Sequence, residues 1–243
     1  MTQNIYDQED FFAGYSRLAR STEGLDGAAE WPSILALLPP MEGLRVLDLG
    51  CGFGWFARWA RQQGAASVAA MDVSANMLAR AAEMTNDPAI TYMRGDLETL
   101  DLPTASFDLA YSSLAFHYIA NLEHTFSVIR RALVSDASFV FSVEHPIYTA
   151  PSAPGFTEDS AGHAVWPLDR YLDEGERRTD WLAKGVIKRH RTIGSYVGLL
   201  LGSGFTLTHL EEWGPSAEQI ARHPLWAAER ERPAFMLVAA RAR

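Results

Sequence analysis

Between Leu44 and Val143 the chain alternates between short apolar runs and stretches with helical spacing, and this rhythm restricts the fold more than any other feature. "LRVLDL" reads as a buried strand, and "WFARWARQQG" as a helix that stops at Gly64. "SVAAMD" is a second strand, leading into "SANMLARAAEM", a helix that Ser74 can cap and in which Met77, Leu78 and Ala81 share a face. "AITYMRGD" and "FDLAYSS" follow as third and fourth strands. "NLEHTFSVIRRAL" is a helix with Leu122, Phe126, Ile129 and Leu133 on one side, and "SFVFSVEH" is a fifth strand. Strictly alternating β and α units imply an α/β fold, a parallel sheet doubly wound by right-handed crossovers. Ligands of such sheets bind beyond the carboxyl ends of the strands. Those ends are Asp48–Gly54, Asp72, Gly95–Asp96, Ser112–Phe116 and Glu144–His145.

The rest of the chain frames this unit. Residues 146–190 break the rhythm, mixing Pro, Gly and charges with Trp166, Tyr171 and Trp181. The pattern returns with "TIGSYVGLLLGSG" as a helix and with "FTLTHLEEW" and "PAFMLVAARA" as strands that could pair antiparallel at the sheet edge. Residues 1–30, with Phe11, Tyr15 and Leu18 at helical spacing, read as an amphipathic helical cap. The expected organisation is one domain over 1–243, with 146–190 inserted between strands five and six as a lid. With 48% hydrophobic and 21% charged residues the composition is that of an ordinary globular protein. A net charge of −9 without a dense Lys/Arg cluster disfavours nucleic acid as a partner. The single cysteine, Cys51, allows no intrachain disulfide and no cysteine-based metal site. The polar, acidic N-terminus is not a signal peptide, and the apolar run "VGLLLG" is too short to span a bilayer, so a cytoplasmic location without a membrane partner is expected.

Gly50-Cys51-Gly52-Phe53-Gly54 follows the first strand as GxGxG, whereas the dinucleotide fingerprint is G-x-G-x-x-G. Tight strand-to-helix turns also need glycine for structural reasons alone. The neighbouring acids carry the functional argument. Asp48 would oppose a pyrophosphate at this loop and favour a ligand ammonium or sulfonium. Asp72 ends the second strand about 20 residues after the loop, where a ribose-binding acid belongs in this architecture. A carboxylate there suits the paired hydroxyls of an unphosphorylated ribose. Asp96, after Gly95, can accept from an exocyclic amine, while Leu97, Val73 and Met77 offer an apolar slot for a flat base. Each acid alone could be a solvated or capping residue; three on one sheet edge point to a ligand.

"VLDLGCGFG", "MDVSANML" and "GDLETLDLP…FDLAYSSLAFHYI" together resemble class I S-adenosylmethionine-dependent methyltransferases, in their small-molecule branch. The resemblance is close over residues 44–144 and general over 190–242. It implies a Rossmann-like seven-stranded sheet of order 3-2-1-4-5-7-6 with the last strand antiparallel, and S-adenosylmethionine as cofactor. It also implies that Asp48, Gly50, Cys51, Gly52 and Gly54 lie against the methionine part. Asp72 would take the ribose and Asp96 the adenine amine, with Val73, Met77, Gly95 and Leu97 nearby and Ser112 completing the set. Tyr15 and Arg20 could reach the cofactor carboxylate from the N-terminal helix, although Arg17 and Arg20 could equally face solvent.

Methyl transfer is an in-line displacement by an activated reagent, so the protein contributes alignment, exclusion of water and, for some acceptors, removal of a proton. His117 and His145, beyond strands four and five, are the candidate bases, because an unperturbed imidazole titrates near neutrality. Either ring could instead cap a helix. His190, in "KRHRT", reads as solvated. "SSLAF" stands where the amine-methylating nucleic-acid and protein branches often carry Pro-Pro-aromatic, which favours a small-molecule acceptor. Tyr148, Trp166, Tyr171 and Trp181 would read that acceptor from the lid. A nicotinamide-dependent reductase and a non-catalytic cofactor-binding scaffold are the alternatives. A homodimer stays open.

Overall fold

The computed structural model describes residues 3–243. Its central sheet has seven strands, and the first five alternate with helices as the apolar rhythm requires. They are β1 (Arg45–Leu49), β2 (Ser67–Asp72), β3 (Ile90–Arg94), β4 (Phe107–Ser113) and β5 (Leu133–Glu144). Two short antiparallel hairpins follow, β6 (Thr157–Glu158) with β7 (Ala164–Val165) and β8 (Gly175–Trp181) with β9 (Ala183–His190). The sheet closes with β10 (Phe205–Trp213) and β11 (Phe235–Ala242). Its order is β3-β2-β1-β4-β5-β11-β10; β11 runs antiparallel to both β5 and β10, and the other pairings are parallel. With the two hairpins set aside, this is the 3-2-1-4-5-7-6 order expected.

The helices are α1 (Glu9–Tyr15), α2 (Ala19–Thr22), α3 (Trp31–Leu37), α4 (Trp55–Gln62), α5 (Ala75–Glu83), α6 (Leu122–Ala132), α7 (Pro146–Thr149), α8 (Ile193–Gly202) and α9 (Ala217–Arg222). Strand residues alternate between two cores. Leu47, Leu49, Phe139 and Phe141 face α6 and α8, where Phe126, Ile129, Tyr196 and Leu200 are buried. Val46, Val68 and Tyr111 face α3 and α4, and Phe56 stacks on Tyr111 with centroids 3.6 Å apart. Both faces are buried, as a parallel sheet requires. None of the described helices is long and apolar enough to cross a membrane.

The N-terminal segment departs from the single helix its spacing suggested. α1 stops at Tyr15, and Leu18 is extended before α2 begins. Gly14 and Ser16 are weak helix formers, and the Ser16 hydroxyl donates back to the Phe12 carbonyl at 2.7 Å. The break lets the segment dock: Asp7 accepts hydrogen bonds from the Ser74 hydroxyl and from the backbone N–H of Ala75 and Asn76, at the start of α5.

Candidate active site

The carboxyl ends of the parallel strands open on a cavity of about 500 Å³ at the point where strand order reverses between β1 and β4. A recess of about 90 Å³ adjoins it, sharing Tyr15, Arg20, Gly50, Gly52 and Ser113.

Asp48 and the glycine loop form the wall of the recess. Asp48 is 1% exposed, and its Oδ2 has no hydrogen-bond partner. Burial, reinforced by the nearby Asp72 charge, pushes its pKa to about 8. Gly50 and Gly52 both have positive φ, +74° and +52°. A Cβ on Gly50 would stand 2.6 Å from that of Ala115, whereas one on Gly52 would meet nothing within 4 Å. The loop is tied to β2 by the Gly50 and Cys51 N–H groups, which donate to the Met71 carbonyl. Cys51 lines the recess, and burial raises its thiol pKa.

Asp72 lines the main cavity. Its Oδ2 accepts from Gly52 N–H and its Oδ1 from Ser74 N–H, both at 2.9 Å. Burial raises its pKa despite these bonds. Each carboxylate oxygen keeps a further lone pair for a ligand donor. Val73, Met77, Asp96 and Leu97 continue the same wall, and Asp96 also caps the turn after β3 by accepting from Glu98 N–H at 3.0 Å. Tyr15 and Arg20 complete this end. The Arg20 guanidinium is bonded to buried Glu30 at 3.1 and 3.3 Å, so it is neither solvated nor uncommitted.

Several residues nominated on the sequence stand elsewhere. Ser112 is fully buried and donates to the Leu49 carbonyl at 2.8 Å, bracing β4 on β1; its neighbour Ser113 lines the cavity instead. Strand parity sends the two side chains to opposite faces. Gly95 packs on the Met71 side chain, and Gly54, at φ +69°, opens α4 beneath the Tyr92 hydroxyl. Of the four aromatics expected to read the acceptor, Tyr148 and Trp181 line the cavity. Trp166 stacks behind Tyr148, and Tyr171 accepts from Ile193 N–H at the start of α8.

The two candidate bases stand in different surroundings. His145 has no exposed surface; its Nδ1 accepts from Ile147 N–H to cap α7, and its Nε2 lies 3.0 Å from Glu212. Burial lowers its pKa to about 4. His117 does line the cavity, but burial lowers its pKa to about 4 as well, and its Nδ1 is engaged with Glu144 N–H at 3.3 Å. The remaining ring proton therefore sits on Nε2, and His117 offers a ligand a donor. His190 is buried rather than solvated, between the Thr149 hydroxyl and the Tyr171 carbonyl, each 2.9 Å away.

The far wall was visible in the sequence only in part, through Glu144 at a strand end and the lid residues Tyr148 and Trp181. It is made by Tyr6 and Tyr118, whose hydroxyls meet at 3.3 Å, by Glu144, and by Trp213, Trp226, Glu229, Arg232 and Phe235 near the C-terminus.

The fold and its acid-lined cleft define a class: a doubly wound α/β domain with a cofactor site at the switch point. A methyltransferase-domain family model matches residues 47–141. The S-adenosylmethionine-dependent methyltransferase of Mesorhizobium loti is 55% identical, covers 90% of this chain and 100% of its own, and superposes with a TM-score of 0.87. An uncharacterised protein of Haemophilus influenzae is 32% identical over 98% of this chain and 96% of that one. The malonyl-[acyl-carrier protein] O-methyltransferase of Pectobacterium atrosepticum is 43% identical over 98 residues, 40% of this chain and 38% of that protein. The chain belongs to the class I S-adenosylmethionine-dependent methyltransferases, and S-adenosylmethionine is its cofactor. That membership answers the alternative of a nicotinamide-dependent reductase.

Proposed function

We propose that this methyltransferase acts on a small molecule held between the cofactor and the aromatic far wall of the cleft. The observation that carries the proposal is the two-ended cavity. One end is acidic and follows the strand ends. The other is walled by Tyr6, Tyr118, Tyr148 and Trp181, contributed by the N-terminal segment, the turn after β4, and residues 146–190.

The residues of the first end fit the cofactor. The unpartnered Asp48 Oδ2 suits an ammonium, and the open space over Gly52 admits a close-lying chain. Asp72 would hold the ribose hydroxyls. Asp96 would accept from the adenine amine beside Val73, Met77 and Leu97. Tyr15 and the Arg20–Glu30 pair would border the methionine end. When bound, S-adenosylmethionine supplies a methyl group already activated on a sulfonium. The chain's own part is then to orient the acceptor and to exclude water with its aromatic side chains. Neutral His117 serves as a hydrogen-bond donor in this scheme.

An acceptor buried among side chains of this size is a metabolite rather than a duplex or a protein surface. Incubation with S-adenosylmethionine carrying a labelled methyl group and a fractionated cell extract tests the reading. Label is expected in the small-molecule fraction; label confined to protein or nucleic acid would overturn it.

A further inference from the structure

The acceptor end carries a charge arrangement that the cofactor residues do not explain. Glu144, at the end of β5, lines the cavity. Its Oε1 accepts from Lys188 Nζ at 2.5 Å, and its Oε2 is buried with no hydrogen-bond partner. Lys188, on β9, is 2% exposed, and its ammonium lies 5.3 Å from the ring centre of Trp181 and 5.8 Å from that of Tyr148. Glu144 also donates its backbone N–H to His117, and this leaves the ring with an Nε2–H that no other described residue accepts.

A carboxylate-bearing acceptor would need a free cation here. Arg232 lines the cavity, but its side chain is 5% exposed and pairs with Glu229 at 2.9 Å. Its guanidinium also lies 4.5 Å from the ring centre of Tyr148 and 4.3 Å from that of Trp166. Lys188 is likewise engaged. Besides Nε and Nη1 of the Arg232 guanidinium, which make no hydrogen bond but whose charge is paired with Glu229, the wall leaves over one carboxylate oxygen and one imidazole N–H. A buried carboxylate oxygen without a donor is unfavourable, and Glu144 lines the cavity from which a ligand could bring one. A hydroxyl or a neutral N–H can donate to Glu144 and accept from His117 at once. A carboxylate can only accept, and it would meet the Glu144 charge.

We propose that the methyl acceptor is a neutral molecule whose hydroxyl or N–H is held between Glu144 and His117, with an aromatic or apolar body enclosed by the Tyr6, Tyr118, Tyr148 and Trp181 rings, and that Glu144 rejects anionic acceptors. The proposal rests on the function proposed above and names the substrate class of that site.

Two probes of similar size separate the possibilities: phenol, which is neutral at pH 7, and benzoate, which is anionic. Both are titrated by ligand-observed NMR into the protein saturated with S-adenosylhomocysteine, with the affinity for S-adenosylhomocysteine measured first. Phenol is expected to bind at least tenfold more tightly than benzoate. In Glu144→Gln the affinity for S-adenosylhomocysteine should be unchanged and the preference should shrink to threefold or less. Failure of S-adenosylhomocysteine to bind would sink the cofactor reading itself. With that binding intact, three results would overturn this proposal alone: no phenol binding, benzoate binding at least as tight, or a preference untouched by Glu144→Gln. Benzoate binding that disappears in Arg232→Gln would assign the wall to an anionic acceptor and overturn it equally. Should Glu144→Gln fail to fold, the wild-type comparison decides.

Discussion

Asp48 sits in the central strand with one oxygen unpartnered and a pKa pushed to about 8 by burial and the Asp72 charge. In the unfolded chain it titrates near 4. Between those values the folded state holds the extra proton, so stability falls as pH rises, and above about pH 8 the full penalty is expressed. Asp48→Asn removes this dependence. Its melting temperature should exceed that of wild type by a margin that widens from pH 5 to pH 8, as read by circular dichroism; a margin independent of pH would contradict the assignment. The same variant should bind S-adenosylhomocysteine more weakly, because the ligand ammonium loses its counter-charge. Asp48, Asp72 and Asp96 were legible in the sequence because acids at successive strand ends of an α/β unit have few structural reasons to be there. Ser112 was not, since a one-residue difference in strand parity decides whether it or Ser113 faces the cleft. The roles of His117, His145 and His190 depend on which backbone or side-chain group each ring nitrogen meets, and those partners lie far away in the chain, as Glu212 does from His145 and Thr149 from His190.

At the scale of the element, the loop after β1 does two separable jobs. Gly50 lets the chain turn tightly against Ala115, and Gly52 keeps the cleft floor open. Gly50→Ala should lose about 1–3 kcal/mol of stability in urea denaturation, from positive φ and overpacking together. Gly52→Ala bears only the φ penalty, about 1 kcal/mol, yet should bind S-adenosylhomocysteine more weakly than Gly50→Ala at a temperature where both are folded. Equal binding by the two would mean that the ligand does not approach Gly52. The alternating elements were readable because each buries a distinct apolar face. The β8–β9 hairpin was not, because Arg177, Lys188 and His190 occupy its buried positions beside a single aliphatic residue, Val186. Arg177 is accommodated by the carbonyls of Ala150, Arg170 and Asp173, and Lys188 by Glu144. Such partners are invisible to a hydrophobicity pattern.

Across the whole molecule, the cleft is assembled from segments far apart in the chain: the N-terminal segment, the strand ends, residues 146–190 and the C-terminal region. Asp7 fastens the first of these to α5, and Tyr6 and Tyr15 reach the cavity from it. Ligand binding should therefore slow amide exchange over residues 5–22 while leaving the exposed β6–β7 hairpin unchanged. Protection confined to the strand ends would show that the N-terminal segment takes no part. The central claim is that the acid-lined cleft holds S-adenosylmethionine with Asp72 on its ribose. Calorimetric titration of S-adenosylhomocysteine into wild type and Asp72→Ala tests it most directly. Wild type should bind one equivalent, and Asp72→Ala should bind at least tenfold more weakly, a loss of about 1.4 kcal/mol. Equal affinity in the two proteins, with the variant folded, would place the ribose elsewhere and contradict the account.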